Sequence, residues 1–239
     1  MKKTLHKADT RGVAEHGWLS SRHTFSFADY QNPERVQFGL LRVINDDVVQ
    51  PGMGFGTHPH ENMEIISIPI TGELRHQDSM GNTQHIKAGE VQIMSAGTGI
   101  RHSEYNGSAS EVVNFLQIWV FPKEPDIEPR YDQKLFSRHQ RQGQFQNIVA
   151  PDQNDGGVWI NQDAWFWLGD FKAGQSDTYT IKRSGNGVYF FVLEGSVALA
   201  SEQLERRDGI GIEDAANVDF EPTEDCQLLV MDVPVNDGR

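Results

Sequence analysis

The chain has 239 residues, a net charge of −13 and a pI near 5.0. This acidic balance disfavours direct binding to nucleic acid, because contact with a phosphate backbone requires clustered cations. The length is sufficient for one large β domain or two of average size, and 23 glycines with 13 phenylalanines favour a turn-rich β protein with an aromatic core. Cys226 is the single cysteine, so an intramolecular disulfide is excluded.

The sequence shows no sign of export or membrane insertion. Residues 1–7 are basic, but no apolar stretch follows them, and no run approaches the ~18 apolar residues of a membrane helix. We therefore predict that the protein has no signal peptide, does not bind a membrane and is cytoplasmic.

Short apolar or alternating runs, separated by turn residues, predict strands throughout the first half of the chain. The predicted strands cover residues 38–44, 63–70, 73–78, 83–86, 90–94 and 111–121. Residues 79–82 are typical of a hairpin turn between two of these strands. The near absence of helical periodicity predicts a β-sandwich or β-barrel.

The more polar segment 125–146 is predicted to be a linker that carries one short helix near residues 133–141. Strands then resume at residues 165–171, 177–181, 188–193, 196–200, 210–212, 218–220 and 227–233.

The second half of the chain resembles the first. Residues 68–74 are similar to 191–197, and residues 87–91 are similar to 207–211 at nearly the same interval. This internal similarity predicts two copies of one β-barrel. We expect the first barrel to cover residues 1–133 and the second 134–239, with the metal site lost from the second because it has no His-X-His sequence.

Histidines are concentrated in one part of the chain, where five of the nine lie between positions 58 and 102. One residue separates His58 from His60, and one separates His102 from Glu104. Side chains two positions apart on a β-strand point to the same face, so these two pairs can converge if both segments are strands. Three neutral imidazoles and one carboxylate suit Fe(II), Mn(II), Ni(II) or Zn(II) and leave room for exogenous ligands.

The glycine-rich strings around these side chains are GFGTHPH at 54–60 and GTGIRHSE at 97–104. With Glu64, they resemble the two motifs of cupin proteins. Four residues separate Gly97 from His102 where general cupins have two, and this variant resembles the pirin family of bicupins, including bacterial members described as quercetin 2,3-dioxygenases. The resemblance also covers three further segments, at 23–27, 41–47 and 78–82.

The resemblance implies an all-β protein with two cupin-type β-barrels (double-stranded β-helices) in tandem. It also implies a single divalent metal ion, foremost Fe(II), with Mn, Ni, Co, Cu or Zn as alternatives. Its ligands would be His58, His60, His102 and Glu104. In general cupins a glutamate in the position of Glu64 is the ligand instead, and Glu64 has the same parity as His58 and His60. The pirin pattern favours Glu104 as the ligand, and whether Glu64 binds the metal or orients a ligand stays open.

The resemblance implies a dioxygenase that cleaves a flavonol such as quercetin, with dioxygen as co-substrate. A glutamate beside the metal can also accept a proton, and Glu104 is the candidate for this catalytic role. Two alternatives share the same site: an iron-dependent regulator that binds a transcription factor or a metabolic enzyme, and a cupin enzyme acting on another small molecule. The acidic surface is compatible with a protein partner. A monomer is favoured, because two barrels can cover each other's apolar faces.

Two further expectations concern residues near the candidate site. The wall of a pocket for a flat aromatic substrate is predicted to include Phe55, Met63, Ile65 and Met94, which lie close in sequence to the candidate ligands. The remaining histidines of the cluster, His76 and His85, are expected to be exposed positions on a hairpin.

Overall fold

A computed structural model describes residues 1–235 and contains only β-strands and three short 3-10 turns, at Ala8–Thr10, Arg138–Arg141 and Gln153–Asp155. The all-β expectation is confirmed. Within these residues no helix is long and apolar enough to cross a membrane.

The strands follow one another at short intervals along the chain. Those of the first half are β1 (Lys2–His6), β2 (Gly12–Glu15), β3 (Leu19–His23), β4 (Leu41–Val49), β5 (Gly54–His60), β6 (Glu64–Thr71), β7 (Glu73–Asp78), β8 (Thr83–Lys87), β9 (Glu90–Ser95), β10 (Ile100–Asn106), β11 (Val113–Val120) and β12 (Arg130–Leu135). Those of the second half are β13 (Phe145–Ala150), β14 (Val158–Trp159), β15 (Trp165–Phe171), β16 (Asp177–Thr180), β17 (Asn186–Glu194), β18 (Val197–Leu199), β19 (Glu202–Leu204), β20 (Gly209–Glu213), β21 (Asn217–Pro222) and β22 (Cys226–Pro234).

Each half consists of a seven-stranded and a four-stranded sheet. In the first half their strand orders are β12-β9-β6-β11-β4-β3-β2 and β5-β10-β7-β8. In the second half the orders are β1-β20-β17-β22-β15-β13-β14 and β16-β21-β18-β19. Strand β1 thus joins a sheet of the second half, through the pairing of Lys2 with Glu213. The division of the chain at 133/134 stays a prediction, and residues 236–239 lie outside the described part of the chain.

Strand β11 shows how the alternation of side chains builds two apolar layers. Leu116, Ile118 and Val120 belong to one large cluster, which also contains Phe166 and Phe191 of the second half. Side chains on the opposite face of β11 point into the first barrel, because successive residues of a strand alternate between faces. The two seven-stranded sheets therefore share one core, and each covers the apolar face of the other.

The interiors of the two barrels differ in chemistry. The second is filled by a single apolar cluster that includes Phe171, Phe190 and Phe220. The first contains two smaller clusters, and on the inward face of β11 Phe115 belongs to one and Trp119 packs against the other. Gln117 lies between these two residues on the same face, so a polar layer divides the core of the first barrel.

Two details of the predicted secondary structure are wrong. The segment expected to be a linker with a helix contains β12, which pairs with β9, and a single 3-10 turn at Arg138–Arg141. Strand β4 continues through Asn45 and Asp47 to Val49 instead of ending at residue 44. Asn45 is tolerated in the buried polar layer because its Oδ1 lies 2.8 Å from His23 Nδ1, within hydrogen-bond distance.

The shared core predicts a large difference between two leucine substitutions. Leu116 is fully buried in that core, whereas Leu135 is 68% exposed. Leu116→Ala should lower the free energy of unfolding by about 2–5 kcal/mol, because it leaves a cavity between the two sheets. Leu135→Ala should change it by less than about 0.5 kcal/mol. Urea unfolding measures both, and equal midpoints for the two variants would contradict a core shared between the halves.

Candidate metal centre

Strands β5 and β10 bring three histidines together. The strands are antiparallel neighbours, and His58 pairs directly with His102. The ring centroids lie 4.8 Å apart for His58 and His60, 4.5 Å for His58 and His102, and 4.9 Å for His60 and His102. Gly54 permits this close pairing, since a Cβ at that position would overlap the backbone of Glu104. We call His58, His60 and His102 the outer triad.

The outer triad has ring nitrogens that no protein group satisfies. His60 Nε2 and both ring nitrogens of His102 are buried without a hydrogen-bond partner. His58 Nδ1 lies 2.8 Å from the carbonyl oxygen of Gly56, so this nitrogen donates its proton and Nε2 keeps its lone pair. Buried polar atoms without a partner are rare in folded proteins. The donor set therefore fits a divalent metal ion.

Burial lowers the pKa of two of these imidazoles, those of His60 and His102. Desolvation, reinforced by His58, lowers the pKa of His102 to about 3. Desolvation, reinforced by His102 and His58, lowers the pKa of His60 to about 4. At neutral pH both rings therefore carry a free lone pair, which is the form that binds a metal ion.

Glu104 lies on the same strand as His102 but deeper in the barrel. Its Oε1 accepts a hydrogen bond from Ser67 Oγ at 3.0 Å, and its Oε2 accepts one from Gln117 Nε2 at 2.9 Å. The pairing of β10 with β5 shifts register between His102 and Glu104, so that Glu104 pairs with Phe55. A carboxylate has about four lone-pair sites, so two hydrogen bonds leave capacity for a cation or a proton.

A second group of donors, missed by the sequence analysis, includes His76. One ligand atom from each of His76, His102 and Glu104 lies within 4.8 Å of those of the other two, and all three residues are buried. We call this group the inner triad. His76 was expected to be exposed and is instead 0% exposed. The alternation along β7 could have indicated that His76 is buried, because His76 shares a face with the buried residue Leu74.

Glu64, the alternative carboxylate, is not grouped with the outer triad in the structure. Asn62 adopts a positive φ of 46°, which turns the chain between His60 and Glu64. The Glu64 carboxylate accepts hydrogen bonds from Ser95 Oγ at 2.8 Å and from the Asn161 backbone N–H at 3.1 Å. Glu64 therefore connects the two halves of the protein and belongs to neither triad.

An apolar wall adjoins the outer triad. Trp119 packs edge to face against His60, with ring centroids 4.9 Å apart. Three of the predicted wall residues, Met63, Ile65 and Met94, belong to the same apolar cluster as Trp119. The fourth, Phe55, packs instead against Trp18 in the other cluster of this barrel.

A surface pocket opens beside the candidate centre. Its volume is about 380 Å³, and its lining includes His60, Ser79 and Arg101. His60 is the one member of the outer triad among its lining residues, so the pocket touches the edge of the candidate centre.

Comparisons with known families agree with this architecture. Residues 5–120 match the family model described as Pirin, and residues 147–233 match the one described as the quercetinase C-terminal cupin domain. The quercetin 2,3-dioxygenase of Escherichia coli strain K12 is 43% identical over 230 residues, which cover 96% of this chain and 98% of that protein. A pirin-like protein of Caulobacter vibrioides is 40% identical over 225 residues, covering 94% and 96%.

Solved structures show the same fold. The crystal structure of YhhW from Escherichia coli superposes with a TM-score of 0.93 at 42% identity, covering 98% of each chain. A crystal structure of the bacterial pirin YhhW in complex with nickel(II) superposes with a TM-score of 0.92 at 42% identity, covering 98% and 99%. The expectation of two cupin-type barrels in tandem is confirmed.

The burial of Glu64 predicts a stability that depends on pH. Desolvation raises the pKa of this carboxyl from 4.5 to about 7, against the opposing hydrogen bonds from Asn161 and Ser95. The folded state holds the proton more tightly than the unfolded state. Below pH 4.5 Glu64 is protonated in both states and does not reduce the free energy of unfolding, whereas above pH 7 it is ionised in both and the full reduction applies. Glu64→Gln should therefore match the wild type in acid and exceed its free energy of unfolding by about 1–3 kcal/mol at pH 8.

Urea unfolding of both proteins at intervals between pH 5 and pH 8 measures this difference. A difference that stays constant across the range would show that Glu64 does not titrate there.

Proposed function

The chain belongs to the pirin family, and on that premise we propose that it is a metal-dependent dioxygenase that opens the ring of a flavonol such as quercetin and releases carbon monoxide. The observation that carries the proposal is the convergence of buried imidazole nitrogens without a protein partner across β5 and β10. The quercetin 2,3-dioxygenase of Escherichia coli, similar over nearly the full chain, supports the substrate class.

The proposed ligands are His58, His60, His102 and Glu104, and the proposed ion is Fe(II). The nickel complex of YhhW supports a divalent ion of this size class, since nickel and iron both accept imidazole and carboxylate ligands. The bound ion would act as a Lewis acid that favours the deprotonated form of a substrate hydroxyl group.

Glu104 is the proposed proton acceptor for that hydroxyl group. Its carboxylate is buried and is held by Ser67 and Gln117, which fix its orientation without using all of its lone pairs. General bases of this kind typically contribute about 10²–10⁴-fold to a rate. A base held in place by two neighbours does not have to be ordered when the substrate arrives.

The apolar wall is the proposed binding surface for the flat rings of the substrate. Trp119 presents its ring beside His60, and the side chains of Met63 and Ile65 pack in the same cluster. An apolar wall on one side and a few polar groups on the other are typical of small-molecule sites. The substrate would then lie against Trp119 with its hydroxyl group towards Glu104.

Oxygen uptake tests the proposed activity. Protein of measured metal content should consume oxygen and bleach the visible absorbance of quercetin, and a chelator should abolish both. His58→Ala should lower the rate by at least about 100-fold, because it removes a ligand that Gly56 orients. His85→Ala is the matched control, since His85 is an exposed histidine of the same barrel, and it should keep the wild-type rate.

Failure to consume oxygen with any flavonol, despite a full metal site, would reject the dioxygenase. That outcome would favour the alternative of a pirin-like iron-binding regulator with a protein partner.

Metal analysis of two glutamine variants tests the choice of carboxylate. Glu104→Gln should weaken Ni(II) binding by about 10–100-fold, because it removes a charge beside the histidines. Glu64→Gln should keep the wild-type affinity, because that side chain is bonded to Ser95 and Asn161. The reverse pattern, with metal kept by the first variant and lost by the second, would make Glu64 the ligand.

A further inference from the structure

His76 is held in one orientation by a carboxylate behind it. His76 Nε2 lies 3.1 Å from Asp78 Oδ2, and Asp78 Oδ1 accepts hydrogen bonds from the backbone N–H groups of Met80 and Asn82. An ionised carboxylate only accepts, so the proton of the imidazole lies on Nε2 and Nδ1 carries the lone pair. A carboxylate that fixes the tautomer of a histidine in this way is typical of metal ligands.

The second ring nitrogen of His76, Nδ1, forms no hydrogen bond with any of the described residues. His76 Nδ1 is buried and has no hydrogen-bond partner, and the side chain is fully inaccessible to solvent. Leaving such an acceptor unsatisfied costs about 1–3 kcal/mol. The oriented and unsatisfied nitrogen therefore points to a ligand that arrives from outside the protein chain.

The ligand atoms of the inner triad lie close to the spacing expected around one metal ion. Ligand atoms on one ion lie about 2.0–2.2 Å from it and so no more than about 4.4 Å from each other. The atoms of His76, His102 and Glu104 lie within 4.8 Å of one another, which is the same closeness that the outer triad has. The structure groups Glu104 with His76 and His102 rather than with His58 and His60.

His102 can serve both triads. Both of its ring nitrogens are buried and without a partner, and its ring lies 4.5 Å from that of His58 and 5.3 Å from that of His76. The ring of His102 therefore lies within 5.3 Å of a histidine of each triad, His58 of the outer and His76 of the inner.

We propose that the inner triad of His76, His102 and Glu104 is a second binding position for a divalent cation, deeper in the barrel than the outer triad and overlapping with it through His102. The inference rests on the proposed function only in taking the histidine cluster to bind a divalent metal, and it does not require flavonol turnover. Because the proposed metal centre and the inner triad share His102 and Glu104, a single ion per chain occupies one position or the other.

Nickel binding to a variant that lacks His58 and His60 tests the second position. The double variant His58→Ala/His60→Ala keeps all three inner donors, so it should still bind one Ni(II) per chain, more weakly than the wild type. Adding His76→Gln should weaken that binding by at least about 10-fold further. Adding His85→Ala instead should leave it unchanged, since His85 is an exposed histidine of the adjacent strand β8. Competition with a chromophoric chelator gives the dissociation constants.

Anomalous diffraction at the nickel edge locates the ion without any substitution in the barrel interior. Crystals of the double variant soaked in Ni(II) should show a peak in contact with His76, His102 and Glu104. The proposal is overturned if the double variant binds no nickel, if His76→Gln and His85→Ala give equal dissociation constants, or if the peak lies away from His76.

The two proposals can fail separately. If wild-type protein oxidises quercetin but the double variant binds no nickel, the second position is rejected and the dioxygenase stands. If nickel binds through His76 but the wild type consumes no oxygen with any flavonol, the dioxygenase is rejected and the second position stands.

Discussion

The structure depends on a set of imidazole nitrogens that are buried in the first barrel without protein partners. Burial of a polar atom is tolerated when something satisfies it, and here the protein leaves nitrogens of His60, His76 and His102 unsatisfied. Desolvation also keeps the rings of His60 and His102 neutral, so mutual charge repulsion does not drive them apart. A divalent cation, which this donor set fits, would offset the penalty of their burial and would then contribute to the stability of this barrel.

The interior of the second barrel lacks the polar layer that divides the interior of the first. The second interior is one continuous apolar cluster rich in phenylalanine, whereas Gln117 and Glu104 divide the interior of the first barrel into two clusters. The second barrel contributes to the centre indirectly, because its large sheet shares a core with the sheet that carries β6, β9 and β11. One copy of the fold thus holds the polar site, and the other supplies the apolar area that stabilises it.

Local sequence patterns predicted most of the fold and the outer triad, and long-range pairing explains what they missed. Alternation and glycine-rich turns predicted the strands, and the His-X-His spacing predicted convergence across β5 and β10. Parity failed for Glu64 because it assumes a continuous strand, and the chain turns at Asn62. His76 looked like a surface residue because its partners, His102 and Glu104, come from a strand that follows more than 20 residues later. The polar strand β12 was missed because its pairing with β9 is invisible in a local window.

Strand β11 couples the rigidity of the centre to the packing between the barrels. On one face, Leu116 and Ile118 are fixed in the shared core. Between them, Gln117 points to the opposite face and donates a hydrogen bond to Glu104. A shift of this backbone would disturb both faces together, because alternate residues of a strand cannot move independently. The position of the Glu104 carboxylate is therefore determined by the fit between the two large sheets as well as by its neighbours in the site. The two barrels act as one unit for this reason: the interface that buries apolar surface also holds the carboxylate in place.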